Sequence, residues 1–122
     1  TWNVLSKYYL EAAIAYWHTI KADTREKWEN ILQLYNHLLQ LEYTPVAALN
    51  RTFALSKARS KELAIAEAEK LNLTDNHFYY MLLAELYKET DVSKTKTYLE
   101  KAASLAKTET ERQAIKKKLD EL

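Results

Sequence analysis

Glycine and cysteine are both missing from these 122 residues, and proline occurs once, at Pro45. Without cysteine there are no disulfides and no thiolate metal sites, a composition that suits a reducing compartment. Without glycine, nucleophile elbows and phosphate-cradling loops lose the residue that takes their backbone conformations cheaply. An excess of one charge is missing too: 18 Lys and Arg stand against 17 Asp and Glu, for a net +1. The first half of the chain is slightly positive and the second slightly negative. A nucleic-acid binder would carry a basic stripe that this chain lacks. No apolar run nears the roughly 18 residues of a membrane span, and no signal-peptide pattern opens the chain, so a cytoplasmic protein with no membrane attachment is expected. The opening Thr1-Trp2-Asn3-Val4 has no initiator methionine and no polar leader, and it reads as a piece cut from a longer polypeptide.

What is present is helical period. With turn residues scarce, boundaries come from capping residues and apolar spacing. A first helix is predicted over 5–21, with Leu5, Tyr8, Tyr9, Ala12, Ala13, Tyr16 and Ile20 as its packed stripe. Asp23 to Glu26 reads as a capping box, Asp23 accepting from the first turn of a helix over 24–42 that packs Trp28, Ile31, Leu32, Tyr35, Leu38, Leu39 and Leu41. Thr44-Pro45 starts a third helix, 45–58, because proline at the first helical position loses no hydrogen bond. Ser60 caps a fourth, 61–71, and Asn72 is the residue to take the left-handed conformation after it. Asp75 opens a fifth over 76–89, Asp91 a sixth over 92–106, and a second capping box at Thr108–Glu111 a seventh over 109–121.

An offset of 34 superimposes the third and fourth helices on the fifth and sixth: Leu49 falls on Leu83, Phe53 on Tyr87, Ile65 on Leu99, Ala68 on Ala102 and Leu71 on Leu105. That is the tetratricopeptide period, in which each helix pair buries its apolar face on the next. The expected fold is therefore all-α, one domain over 1–122: an antiparallel helical-hairpin (TPR-like) array of seven helices. Its last helix is a cap, with Arg112, Gln113, Lys116, Lys117 and Asp120 facing out. At 122 residues such a domain buries roughly two-thirds of its unfolded surface.

Chemistry is harder to place. His18, His37 and His77 lack the i, i+4 pairing of a helical metal site and are expected to be structural, so no metal, cofactor or enzymatic activity is expected. Lys116-Lys117-Lys118 sits where cations meet the negative end of a helix dipole. Nine of the 14 aromatics are tyrosine, and adjacent pairs such as Tyr8–Tyr9, Tyr16–Trp17 and Tyr79–Tyr80 point about 100° apart. One member of each pair is expected on a groove or interface. Asn50 and Arg51 interrupt an apolar helix, either as a clasp between helices, Arg51 with Glu11 or Glu85, or as part of a groove that grips another chain.

Five stretches, "YYLEAAIAYWH" (8–18), "ILQLYNHLLQL" (31–41), "PVAALNRTFAL" (45–55), "FYYMLLAELY" (78–87) and "ERQAIKKKLDEL" (111–122), resemble in order the C-terminal extension of bacterial RNA polymerase sigma factors of the extracytoplasmic-function (ECF) subfamily. "LEAAIA" and "PVAALNR" are the most specific. The resemblance implies a TPR-like module following two promoter-reading sigma domains, in a parent that directs transcription initiation. Its partners would be protein: the sigma domains in cis, or RNA polymerase or a regulator in trans, with DNA reached only through the sigma domains. Candidate groove residues are Glu11, Asn50, Arg51, Tyr80 and Glu85. The alternatives are a small-molecule sensor with an aromatic-lined groove and a TPR-like scaffold unrelated to transcription.

Overall fold

The computed structural model describes residues 2–122. Among them the fold is all-α, with seven helices: α1 (Trp2–Thr19), α2 (Arg25–Leu41), α3 (Pro45–Ala58), α4 (Lys61–Leu71), α5 (His77–Tyr87), α6 (Val92–Leu105) and α7 (Glu109–Asp120). Neighbours in sequence pack on one another, α1 on α2, α2 on α3, α5 on α6 and α6 on α7. Loops of a few residues make such pairs antiparallel hairpins. The chain divides into two compact units, one running to Glu67 and the other from Ala68 to Leu122.

Side chains supply the helix starts. Thr24 accepts from Lys27 N, Thr44 from Ala47 N, Ser60 from Leu63 N, Asn76 from Phe78 N, Asp91 from Lys94 N and Thr108 from Glu111 N. Pro45 takes the first helical position of α3, and Asn72, at φ 48°, ends α4 in the left-handed region. Two caps fall one residue later than expected. Thr24 caps α2 because the Asp23 carboxylate instead accepts from the Trp28 indole and lies 3.7 Å from Lys57. Asn76, not Asp75, caps α5.

In the first unit, Leu10 and Ile14 of α1 pack with Leu38 of α2 and Ala47 of α3, against half-buried Leu34, Tyr35 and Leu39. Ile31 and Ala54 are fully enclosed. This corrects the predicted stripe of α1: Leu5, Tyr8, Tyr9 and Tyr16 are exposed, Ala12 with them, and the packed face is Leu10, Ile14 and half-buried Trp17. Lys27 is buried in α2; its ammonium donates to the Ile20 carbonyl at 2.7 Å and lies 5.3 Å from the Trp28 ring centroid, closing the end of α1. Arg59, just after α3, grips Glu29 of α2 through two bonds of 3.0 and 2.6 Å.

In the second unit, α5 is buried along most of its circumference, so Tyr79 and Tyr80 are both inside instead of one facing a groove. Tyr98 of α6 stacks on Tyr80 and Tyr87. His77 Nε2 faces Glu111 Oε2 at 2.8 Å, joining the starts of α5 and α7 through the residue expected to close the second capping box. The 34-residue offset is visible as matched burial: Leu49 and Leu83 are both buried, Phe53 and Tyr87 both half-buried, and Ala68 and Ala102 both fully enclosed. Asn50 and Ala84 break the match, the first exposed and the second buried, and Ile65 is half-buried where Leu99 is buried.

Ile31→Ala should cost about 2–5 kcal/mol in denaturant unfolding, since a fully packed aliphatic side chain leaves a cavity. The Arg59 guanidinium, helped by Gln33, holds Glu29 down at about 2 against its ordinary 4.5. A lowered carboxylate stabilises the fold above the unfolded value and loses that contribution as pH falls through the folded one. Arg59→Ala should therefore lower Tm at neutral pH and flatten its fall between pH 4.5 and about 2, which thermal unfolding across that interval measures.

Candidate functional site

The first unit holds a groove of about 370 Å³ between α1 and the α2–α3 hairpin. Its apolar floor is Ile14, Leu38 and Ala47, a continuation of the core beneath. Because α1 presents Glu11, Ile14, Ala15 and His18 at spacings of three and four, one side of the helix gives the groove a wall with both an apolar and a polar edge. Lys7 and Glu42 close one side with a 3.0 Å ion pair; hydrogen bonding to Glu42 raises the Lys7 ammonium. Tyr35 stands across from Asn50, and burial pushes its phenol above the usual tyrosine value while the Asn50 hydrogen bond pulls the other way.

Two of the five candidate residues meet here: Glu11 from α1 and Asn50 from α3 line the same groove, and both are exposed. Arg51 does not. Its Nε donates to Asn36 Oδ1 at 2.8 Å, a clasp between α3 and α2, with neither Glu11 nor Glu85 as its partner. Tyr80 is buried in the second unit, with Lys101 Nζ 5.5 Å from its ring, and Glu85 pairs there with Lys88 at 2.8 Å. The groove also uses residues that sequence reasoning assigned elsewhere or passed over. Tyr35 had been placed in the packed stripe and His18 among structural histidines, while Lys7 and Glu42 lie 35 positions apart, beyond any local pattern. The three lysines of α7 are exposed at its C-terminal end, as the dipole favours.

Among the described residues, no group of acidic, histidine or cysteine side chains is arranged to hold a metal ion, and no helix is long and apolar enough to cross a membrane. What the groove offers is recognition: an apolar floor for a small hydrophobic group, with carboxylate, imidazole, phenol and amide groups on the rim.

No protein-family model matches the chain, and no solved structure is similar to it. An uncharacterized protein of Rhizobium meliloti (strain 1021) is 35% identical over 120 residues, covering 94% of this chain. The chain spans 28% of the length of that relative.

Arg51→Ala should lower stability by about 1–2 kcal/mol through loss of the bond to Asn36, and Arg51→Ala should leave ligand binding at the groove unchanged. Urea unfolding and a binding isotherm on the same variant separate the two effects.

Proposed function

We propose that the chain is an accessory protein-interaction module of an ECF-type RNA polymerase sigma factor, and that the groove of its first unit is a contact surface for another part of the transcription machinery. The observation that carries this reading is convergence. The two stretches most specific to the resemblance, "LEAAIA" on α1 and "PVAALNR" on α3, supply Glu11, Ile14, Ala15, Val46, Ala47 and Asn50 to one groove, and "ILQLYNHLLQL" on α2 supplies Tyr35 and Leu38. Glu11 and Asn50, both exposed, stand on a shared rim above the apolar floor of that groove. Within this reading the groove holds an apolar side chain of a protein segment on its floor, and the rim fixes the segment's direction. The sigma domains in cis are the nearest source of such a segment, with polymerase or a regulator as sources in trans.

A second reading is favoured by size: about 370 Å³ suits a small molecule, which would make the module a sensor acting on the sigma domains. A metabolite that raises Tm in a thermal-shift screen, and does so no longer in Glu11→Lys, would move the assignment to that reading.

The main test is transcription by the parent protein. Glu11→Lys combined with Asn50→Lys alters two exposed side chains and removes the Asn50–Tyr35 hydrogen bond, so Tm should fall by a few degrees while the chain stays folded. Transcription from the parent's promoters should fall severalfold. Removal of residues 1–122 with no change in that transcription would sink the proposal.

A further inference from the structure

α1 is apolar on two faces. The first, Leu10, Ile14 and Trp17, packs in the first unit. The second is Trp2, Leu5, Tyr9, Ala12 and Tyr16, spaced three, four, three and four, which aligns them along one side of a helix. This second stripe is open: Trp2 is 79% exposed, Leu5 65%, Tyr9 72% and Tyr16 62%, with Tyr8 beside it at 75%. A surface helix ordinarily carries charge on its outer face, and this stripe carries none. Lys7, Glu11 and His18, the ionisable residues of α1 besides its tyrosines, all line the groove instead. Among the described residues, no other helix exposes more than one large apolar side chain.

We propose that this stripe is the face through which two copies of the chain pair, α1 against α1. Three observations select a second copy as the occupant. The first is area. At these exposures Trp2, Tyr8, Tyr9 and Tyr16 alone present roughly 600 Å², and Leu5 and Ala12 add to it. A stable dimer takes about 600–1,000 Å² from each partner, so the open stripe has the extent of one side of a dimer. The second is spacing. Alternating threes and fours from Trp2 to Tyr16 form a heptad seam, whose knobs enter the holes of another helix carrying the same repeat. A second α1 carries that repeat by construction, and no other helix of the described residues leaves such a seam open. The third is tolerance of its own image. In a two-fold contact the same patch meets itself, so a charged residue near the axis repels its copy. The positions beside the seam are Ser6, Tyr8, Ala13 and Ala15, all uncharged. Antiparallel pairing sets Trp2 of one copy across from Ala12 of the other, and Leu5 across from Tyr9. Each ring then faces a smaller or aliphatic side chain, and the tyrosine hydroxyls reach water at the edges.

The pairing does not depend on the reading of the groove, because stripe and groove have no residue in common. Sedimentation equilibrium of the 122-residue chain should find a species of twice the chain's mass at micromolar concentration. Tyr9→Glu sets a carboxylate in the seam and should raise the dissociation constant by about tenfold or more. Circular dichroism should show its helix content unchanged, since the side chain is exposed in a single copy. Leu63→Glu is a substitution of the same kind at the exposed apolar residue of α4, and it should leave the dimer as it is. A chain that remains monomeric up to millimolar concentration would overturn the proposal and leave the stripe to a different protein or to another part of a longer polypeptide. A dimer that Tyr9→Glu leaves intact, or that Leu63→Glu dissolves equally well, would overturn it too, because the contact would then lie elsewhere.

Discussion

Every helix after the first depends on a short side chain folding back onto the backbone. The first N–H groups of each helix have no partner within it and need an acceptor. Thr24, Thr44, Ser60, Asn76, Asp91 and Thr108 provide it. These caps set where each helix begins, and with it the rotation at which its apolar residues meet the neighbour. The start of α3 at Pro45, for example, is what turns Ala47 to the core and Asn50 to the groove rim.

Packing then works at two scales. Ala54, Ala68 and Ala102 are fully enclosed small side chains. Larger residues such as Ile31, Leu83 and Ile115 fill the layers between. Polar straps join helices, Arg51 to Asn36 and Arg59 to Glu29, and His77 Nε2 faces Glu111 Oε2 at 2.8 Å. The groove exists because α1 and the α2–α3 hairpin share a floor around Ile14 and Leu38 but separate above it, where Lys7 and Glu42 hold the edge.

Caps and period made α3, α4, α6 and α7 legible from the sequence to within a residue at either end. The face of α1 was not. Leu5–Tyr9–Ala12–Tyr16 and Leu10–Ile14–Trp17 are both apolar at helical spacing, so periodicity names two stripes and cannot rank them; only the position of α2 decides. Asp23 and Thr24 are both good caps in adjacent positions, and the tie is broken by the Trp28 indole, which takes Asp23. The groove was half legible. Asn50 stands out in the sequence as a polar interruption of an apolar helix and Glu11 as a partner offered to Arg51 and a groove candidate, whereas Tyr35 resembles core and the Lys7–Glu42 pair spans 35 positions. Arg51 stood out for the same reason as Asn50, yet the 100° between consecutive helical residues sends one to the rim and the other to a neighbouring helix.

Five of the six capping residues are neutral: three threonines, one serine and one asparagine, with Asp91 the exception. One strap between helices, by contrast, leans on ionised groups at both ends, Glu29 and Arg59. The two kinds of bond therefore part company in acid. Proton uptake by Glu29 loosens the strap between α3 and α2, while Thr24 and Thr44 go on capping those two helices and the Arg51–Asn36 bond keeps its partners.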